Sequence, residues 1–301
     1  MKTNKDLYRK FCKENTDIPI FLQPFWLDIA SADWDVILCS ENTIDHEKYS
    51  KIIAALPYCI KGNFVTKRIF LPEINFYQSI LFIQNISKEE QQKIAIKLFQ
   101  QLPFVIKSYF KFQPTYQKIK LNTLGFKDEI YSTYILQKKA SYQLSKHHQR
   151  HIQKGVKSSY QIENSTNIPL SYQLIADTFF RKNIKPKLSF NTFQQIDSIL
   201  KKYHCGKILN CLDSDKNLLA TLLFVEDNAS IYYLFSGYNI NYKNSGAVTF
   251  LLHHIIQEAL EKGKIFNFCG SQNKNIATYF EGFGAQPIEI PIWKKGIYLI
   301  P

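Results

Sequence analysis

The sequence predicts an α/β (α+β) fold with two mixed, mostly antiparallel sheets flanked by helices. Short runs rich in β-branched and aromatic residues alternate with segments whose apolar residues recur every three or four positions. These segments follow one another in a similar order in both halves of the 301-residue chain, which is long enough to bury two cores. We therefore expect two domains, residues 1–137 and residues 138–301.

In the first half, the strongest helix signal is SKEEQQKIAIKLFQQL, where Ser87 and Glu90 form a capping-box pattern. A short helix is expected after Pro24. The run TYQKIKLNTLGF is also predicted to be a helix, ending at Gly125. Strands are predicted at WDVILCS, IIAALPYCIK, FVIKSYFKF and IYSTYILQ.

The second half begins with a basic helix predicted from about Ser145 to Lys154 and stopped by Gly155. A short strand at SYQIENS precedes two helices with apolar residues at helical spacing. Three strands separated by Asp- and Asn-rich turns then predict an antiparallel meander over GKILNCLD, NLLATLLFVED and ASIYYLFSGYN. The remaining segments predict, in order, a helix, a strand, a helix and a strand: SGAVTFLLHHIIQEALEKG, KIFNFCG, NKNIATYFEGFG and PIEIPIWKK.

The composition favours a globular protein with anionic partners. Hydrophobic residues make up 45% of the chain, which excludes disorder as the default. Lys and Arg number 38 against 25 Asp and Glu, and the resulting net charge of +13 favours phosphates, nucleic acid or acidic lipid head groups. The alternative is a solvated basic surface, because net charge does not say where the charges lie.

The cysteine pattern and the absence of targeting signals indicate a cytoplasmic protein. None of the six cysteines is spaced as Cys-x-x-Cys, which argues against a zinc ribbon and against a thioredoxin-like motif. Reduced, partly buried thiols are expected. The N-terminal segment lacks the apolar core of a signal peptide, and no stretch reaches the roughly 18 apolar residues of a membrane span.

Residues 245–287, SGAVTFLLHHIIQEALEKGKIFNFCGSQNKNIATYFEGFGAQP, resemble the C-terminal half of the FemAB-like branch of the GNAT acyltransferase superfamily. In that branch a small-residue turn leads into a long helix, a strand ends near Gly-Ser or Gly-Gly, and a further helix closes on Phe-Gly. The segments QPFWLDIAS, AALPYCIK and SKHHQRHIQKG are also similar to elements of the branch. The resemblance implies two GNAT-like halves, with the acyl-donor site in the second.

The resemblance implies a donor site where the strands IYYLFSG and IFNFCGS run side by side and then diverge. Diverging strands leave backbone groups unpaired, so the acyl-pantetheine arm of acyl-CoA can bind there like an added strand. The loop before the following helix would offer backbone amides to the pyrophosphate, and the alternative is that NYKNSGA is only a loop and N-cap of a core helix. The donor-binding residues under this hypothesis are Leu234, Phe235, Asn244, Ser245, Gly246, Ala247, Ser271 and Asn273.

Two departures from the superfamily pattern affect this hypothesis. The usual loop has Arg or Gln, two residues, Gly, one residue, then Gly or Ala, whereas here Tyr242 and Ser245 occupy the first two of those places. The Tyr that often acts as general acid is replaced by Phe280, which cannot donate a proton. The neighbouring Tyr279 is therefore the candidate acid, with aromatic packing as the alternative role. Ser236 is the second catalytic candidate, because the strand from Leu234 to Ser236 is expected to supply an oxyanion-stabilising N–H.

The basic helix allows two further interpretations. His147 and His151 have a spacing that can chelate zinc, but the Glu of His-Glu-x-x-His is absent, so we expect no metal. Lys146, His148, Arg150 and Lys154 suit phosphate contacts, with a solvated helix face as the alternative.

Three functions are consistent with these observations. The first is transfer of an acyl group from an acyl thioester, acyl-CoA, to an amine on a small molecule or a cell-envelope precursor. The alternative is aminoacyl transfer from a charged tRNA to a cell-wall type amine, which the net charge of +13 favours. We rank it second because the charged helical-hairpin insertion of some tRNA-dependent members has no visible counterpart. The third is a non-catalytic GNAT-like binding module.

Overall fold

The computed structural model of the protein describes residues 3–40, 52–83, 86–116, 119–137, 141–270 and 272–296. Contacts between Cα atoms group the chain into two compact units. One unit runs to Tyr131 and includes the residues from Glu289 onward, and the other is Ser132–Ile288. The boundary predicted after residue 137 stays a prediction. The end of the chain is grouped with the first unit because its last described strand pairs there, with Ile292 opposite Lys111.

The first unit contains a mixed sheet with helices against it. Its helices are α1 (Asn4–Glu14), α2 (Pro24–Ala30) and α3 (Lys88–Gln100). Its strands are β1 (Trp34–Ser40), β2 (Ile52–Lys61), β3 (Arg68–Phe70), β4 (Leu81–Phe82) and β5 (Lys107–Lys111). Two longer strands, β6 (Lys127–Leu136) and β12 (Gln286–Gly296), each begin in one unit and end in the other. The sheet order in this unit is β1-β2-β3-β5-β12, with β4 also paired to β2.

The capping box predicted for α3 is confirmed. The Ser87 hydroxyl accepts from the Glu90 amide, and the Glu90 carboxylate accepts from the Ser87 amide. These reciprocal bonds satisfy two amides that have no partner within the helix. The apolar face of α3 then packs on an aromatic core that includes Phe99, Phe110 and Trp293.

The helix predicted over TYQKIKLNTLGF is wrong. In its described part the chain forms only two short 3-10 turns, Pro114–Tyr116 and Asn122–Leu124. Gly125 follows the second turn in a left-handed conformation, with φ 77°. Ile119 and Leu121 are buried between the turns, so the apolar positions that suggested a helix serve the core through irregular chain.

The second unit has a largely antiparallel sheet. Its helices are α4 (Lys146–Lys157), α5 (Ile168–Phe180), α6 (Phe190–Tyr203), α7 (Ala247–Glu261) and α8 (Lys274–Glu281). Its strands, besides the end of β6, are β7 (Gln161–Asn164), β8 (Gly206–Leu212), β9 (Leu218–Glu226), β10 (Ser230–Tyr238) and β11 (Ile265–Asn267). The order is β6-β11-β10-β9-β8-β7, and the predicted β8-β9-β10 meander is confirmed. Only the β10–β11 pairing is parallel among the described pairs of this unit.

Gly155 does not stop α4, contrary to the sequence prediction. The helix continues to Lys157, and Gly155 is buried within it. A Cβ at this position would lie 2.5 Å from the ring of Phe250 on α7. The missing side chain therefore allows α4 to pack closely against α7, which in turn is buried on the sheet through Leu251 and Ile255.

Among the described residues, no helix combines the length and apolar character needed to cross a membrane.

Candidate active site

β10 and β11 run side by side briefly and then separate. They pair from Ser230 opposite Ile265 to Tyr232 opposite Asn267. β10 then continues along β9 as far as Tyr238, whereas β11 ends. This is the strand pair in which the sequence analysis placed the donor site. We call the opening between residues 233–238 and residues 268–270 the fork.

A buried asparagine shapes the turn that ends β11. The side-chain oxygen of Asn267 accepts hydrogen bonds from the Thr133 hydroxyl and the Cys269 amide, both at 2.8 Å. Cys269 and Gly270 both have positive φ, 58° and 80°. The left-handed conformation is unfavourable for a cysteine, and the bond from its amide to Asn267 helps to hold it. Ser271, which was predicted to bind the donor, lies outside the described residues.

The backbone of β10 is irregular where the fork opens. Its register passes from Tyr233 opposite Phe224 to Phe235 opposite Leu223 and skips Leu234. A bulged residue of this kind is left out of the hydrogen-bond ladder. Leu234 has no opposite residue on β9, so its N–H is a candidate backbone donor at the fork.

Ser236 lies two residues beyond Leu234 on β10. Its backbone stands opposite Leu222, within the β9 register. Its hydroxyl lies 2.5 Å from the hydroxyl of Tyr233. The side chain of Ser236 thus orients a phenol at the fork, and Leu234 is the better placed of the two residues to offer an amide.

The loop before α7 and the first residue of the helix contain four of the predicted donor-binding residues: Asn244, Ser245, Gly246 and Ala247. Gly246 is the N-cap of α7, with φ 75°, a conformation that favours glycine. Ala247 is buried, and its amide donates to the Ser245 hydroxyl at 3.3 Å. Gly246 provides no side-chain cap, so the first turn of α7 depends on other groups to satisfy its remaining amides.

Side chains from α4 contact this loop. Lys154 donates through Nζ to the carbonyl oxygen of Asn244 at 2.9 Å. A Cβ on Gly246 would lie 2.6 Å from the ring of His151, so that imidazole fills the space beside the glycine. The conformation of the loop is consequently coupled to α4.

The exposed side of α4 carries a row of positive charges, Lys146, Arg150 and Lys154, which we call the basic row. Residues four apart on a helix lie on the same face, and all three side chains are exposed. The row ends at the loop before α7, through the Lys154 contact with Asn244. His148 lies on the opposite, buried side of the helix.

Tyr279 joins a chain of polar groups between α8, α7 and α4. Its hydroxyl lies 3.0 Å from the hydroxyl of Thr249, which lies 3.3 Å from Nδ1 of His151. Burial raises the pKa of the Tyr279 phenol, the Thr249 hydrogen bond opposes this rise, and the nearby Tyr233 phenol adds to it. Tyr279 therefore keeps its proton at neutral pH, as a general acid requires.

Phe280 is turned away from these polar groups. It is buried, and its ring packs against Phe268 at a centroid distance of 4.5 Å and against Tyr134 at 5.9 Å. The two neighbouring aromatic residues of α8 thus differ in role, because successive residues of a helix are rotated by about 100°.

Tyr233 is a candidate that the sequence analysis missed. It is the first residue of β10 beyond the pairing with β11, and its phenol contacts the Ser236 hydroxyl. Burial raises its pKa, the Ser236 hydrogen bond lowers it, and Cys269 raises it. These interactions place a second phenol near Tyr279 at the fork. The strand IYYLFSG was predicted from the sequence. Residue periodicity does not show where the pairing of this strand with β11 ends, so Tyr233 was not singled out.

His148 was predicted with its neighbours on α4 to contact phosphates, and for this residue the prediction is wrong, because its side chain is buried. Its ring lies 4.2 Å from that of Phe283 and 4.8 Å from that of Tyr279, and a Cβ on Gly282 would overlap it. The Ser145 hydroxyl lies 2.6 Å from Nδ1 of the imidazole. Burial, followed by the neighbouring histidines of α4, lowers the pKa of His148 to about 4. A neutral imidazole therefore supports the ring of Tyr279.

Asn273 forms the N-cap of α8. Its side-chain oxygen accepts from the amides of Asn275 at 2.9 Å and Ile276 at 3.4 Å. The capping role explains why an asparagine begins this helix. Its predicted contact with the donor remains a prediction.

The part of the sequence that forms this site matches a known protein family. A model described as the FemAB family matches residues 109–277, more than half of the chain. The chain belongs to the FemAB family. The resemblance found in the sequence is confirmed, and the matched part of this FemAB chain includes the fork, the basic row and the loop before α7.

Solved structures share the fold of this FemAB chain. FemX matches with a TM-score of 0.69 and 12% identity, over 97% of this chain and 96% of FemX. L-PGS from Bacillus licheniformis matches with a TM-score of 0.54 and 11% identity, over 82% of each chain. The C-terminal domain of a putative lysylphosphatidylglycerol synthetase from Agrobacterium fabrum matches with a TM-score of 0.57 and 11% identity, over 91% of this chain and 87% of that one.

These comparisons confirm the predicted fold class, a mixed α/β fold with mostly antiparallel sheet flanked by helices. No curated protein sequence matches the chain. Membership of the FemAB family indicates a transferase with a GNAT-like fold.

Proposed function

We propose that this FemAB-family protein transfers an aminoacyl group from a charged tRNA to an amine of a cell-envelope precursor. Family membership supports an aminoacyl donor more strongly than the acyl-CoA that the sequence analysis ranked first. One protein of similar fold is named a putative lysylphosphatidylglycerol synthetase. The product in that name is a phospholipid that carries an amino acid. The proposal places the protein in the cytoplasm, where charged tRNA is made.

The observation that carries the proposal is the basic row beside the loop before α7. Three exposed cations spaced along α4 suit the repeating phosphates of a nucleic acid, and Lys154 brings the row to the loop itself. The loop also departs from the pyrophosphate pattern, and His151 fills the space beside Gly246. Both features favour a long polyanion over a compact pyrophosphate.

The reaction is aminolysis of an ester. The acceptor nitrogen attacks the carbonyl carbon of the aminoacyl group, a C–N bond forms, the ester C–O bond breaks, and the ribose hydroxyl leaves. The amine loses one proton to water or substrate, and the departing ribose oxygen gains one. Leu234 would donate its bulged N–H to the carbonyl oxygen as negative charge develops, and Tyr279 would supply the proton to the leaving oxygen.

Acyl-CoA is the second candidate donor, with transfer to an amine as the reaction. The observation that favours it is the start of α7, where Gly246 leaves the first amides without a side-chain cap. An acyl-pantetheine arm would extend along the fork beside Leu234 and Phe235. Asn273, the N-cap of α8, and Ser271, two residues earlier in the sequence, remain the other predicted donor contacts. No metal is required for either reaction.

Transfer from two labelled donors would test the proposal. Bulk tRNA charged with labelled amino acids, or labelled acetyl-CoA, is incubated with the protein and a cell-envelope precursor extract. After alkaline treatment, which cleaves aminoacyl esters but not amides, the precursor should retain label only when charged tRNA was the donor. Heat-inactivated protein serves as the control.

Two outcomes would contradict the proposal. Retained label from acetyl-CoA alone would support the second candidate. Tight binding of tRNA with no transfer from either donor would instead indicate a non-catalytic binding module.

A further inference from the structure

The first unit exposes a group of large apolar side chains in the loops at the ends of β2, β3 and β5. Phe64 is 100% exposed, Phe104 93%, Val65 73% and Ile106 43%. We call these four residues the apolar tip. Single exposed apolar residues are common, but a contiguous group marks an interaction surface.

The strand pairing brings the four residues together. β2 and β3 form a hairpin with Lys61 opposite Arg68, and the loop between them contains Phe64 and Val65. β3 is parallel to β5, with Arg68 opposite Lys107. The amide of Ile106 donates to the carbonyl oxygen of Lys67 at 3.0 Å. The segment containing Phe104 and Ile106 therefore lies beside the hairpin loop.

The hairpin loop bonds its polar side chains internally and exposes its apolar ones. The side-chain oxygen of Asn63 accepts from the amides of Val65 and Thr66 and from the Thr66 hydroxyl, at 2.9–3.1 Å. The Thr66 hydroxyl also accepts from the Asn63 amide at 3.1 Å. This network fixes the loop without using Phe64, whose ring contributes nothing to the core.

Four basic residues lie beside the apolar tip, although Glu73 also acts on one of them, Lys61. Lys61, Lys67, Arg68 and Lys107, which we call the basic rim, all lie at the ends of the strands that carry the two loops. Residues 61–68 and 101–107 contain no Asp or Glu. An apolar tip with a basic rim is complementary to an anionic bilayer, whose headgroups attract cations while aromatic side chains enter the interface.

A cleft adjoins the tip. It has a volume of about 440 Å³ and a mixed lining, with apolar residues that include Phe99, Leu102 and Phe104 and polar groups from Gln100, Ser108 and Lys295. Phe104 thus belongs to both the tip and the wall of the cleft.

The geometry points to peripheral docking of the first unit on an anionic phospholipid surface, through insertion of the apolar tip and contact of the basic rim with headgroups. The docking is interfacial and needs no spanning helix. It is independent of the transfer reaction, and binding alone tests it.

Flotation with vesicles is the experiment. Vesicles of equal parts phosphatidylglycerol and phosphatidylcholine should carry the protein upward, and vesicles of phosphatidylcholine alone should not. The double variant Phe64→Ser, Phe104→Ser should lose about tenfold or more of its partitioning, because two inserted rings are removed. The matched control is Phe180→Ser, Ile240→Ser, which removes two apolar side chains that are 59% and 51% exposed in the second unit and should bind like the parent.

Fluorescence of a Phe64→Trp variant gives a second measurement. The three native tryptophans, Trp26, Trp34 and Trp293, are at most 3% exposed, so F64W adds an exposed one. Its emission should shift to the blue with anionic vesicles and not with neutral ones. The variant changes a fully exposed position, so its folding can be checked by the unchanged melting temperature.

Three results would overturn the proposal. One is the absence of parent protein from the floated anionic vesicles, and another is equal flotation of the Phe64→Ser, Phe104→Ser variant. The third is a concentration-dependent dimer that this variant abolishes, with no vesicle binding by the parent, which would assign the tip to a second copy of the chain.

Discussion

Tyr279 acquires its chemical character from neighbours that are distant in sequence. His148 lies against its ring. Burial raises the pKa of its phenol, the hydrogen bond with Thr249 opposes this rise, and Tyr233 adds to it. A phenol in this position remains protonated and is held in one orientation. These are the properties expected of a proton donor to the leaving ribose oxygen.

Replacing Tyr279 by Phe should lower the transfer rate about 100-fold or more, because general acid catalysis typically contributes that much. The measurement is the initial rate of amide formation from charged tRNA at saturating donor. Tyr172→Phe is the matched control, since it also removes a phenol that donates one hydrogen bond, to the carbonyl oxygen of Leu188 at 3.0 Å. Equal rates for the two variants would exclude Tyr279 as the acid.

His148 should make the stability of the protein depend on pH. Its pKa in the folded state is about 4, below its ordinary value of 6.5, because burial and then the charges of His147 and His151 disfavour the imidazolium. Tyr279 packs on the same ring. The unfolded chain therefore binds a proton more readily than the folded one, and this contribution to stability is lost as the pH falls from about 6.5 towards 4.

Melting temperatures between pH 7 and pH 4 would test this. The decrease should be smaller for His148→Gln, which stays neutral and can keep a hydrogen bond to Ser145, than for the parent. His254→Gln replaces an exposed histidine and should leave the decrease unchanged. A decrease of the same size in His148→Gln and the parent would contradict the prediction.

At the scale of elements, the contact between α4 and α7 supports both the loop and the polar groups of the site. Gly155 allows the two helices to approach, His151 reaches Gly246 and Thr249, and Lys154 holds the loop. The position of α4 thus determines the geometry on which both the basic row and Tyr279 depend.

Gly155→Ala should destabilise the protein, although alanine favours helices more than glycine does. The added Cβ would lie 2.5 Å from the Phe250 ring, and overpacking of this kind costs about 1–3 kcal/mol of unfolding free energy. Urea denaturation measures this loss. Gln153→Ala, at an exposed position of the same helix, should change the unfolding free energy by less than about 0.5 kcal/mol. An increase in stability on Gly155→Ala would show that the helices separate freely.

At the scale of the whole molecule, the net charge of +13 matters less than its placement. If the basic row contacts tRNA, the double variant Lys146→Glu, Arg150→Glu should bind tRNA more weakly than the parent. Because two phosphate contacts are lost, the slope of log affinity against log salt concentration should become shallower by about 2. Lys88→Glu, Lys97→Glu changes the net charge equally, at exposed positions of α3, and should bind tRNA with nearly the slope of the parent. Filter binding across a salt series measures both. Equal losses in the two variants would indicate binding governed by overall charge.

The sequence by itself determined the family, most elements and the position of the strand pair at the site. Capping at Ser87, the turns of the β8-β9-β10 meander and the order of segments in residues 245–287 are local signals, and local signals can be recognised without knowing the fold. The failures at TYQKIKLNTLGF and at Gly155 depend on tertiary contacts. In the first, Ile119 and Leu121 are buried by irregular chain and not by a helix. In the second, a glycine can end a helix or permit close packing, and only the packing partner, here Phe250, distinguishes the two roles.

Only the tertiary structure decided which groups meet at the fork. The bulge at Leu234 depends on the register with β9, and the contact between Tyr279 and Thr249 joins residues 30 positions apart. His151 reaches Thr249 across 98 positions. Apolar periodicity predicts which face of each element is buried, but it carries no information on which polar side chains of different elements share that buried space. Packing between elements supplies that information, so the acid candidate could be named from sequence and its partners could not.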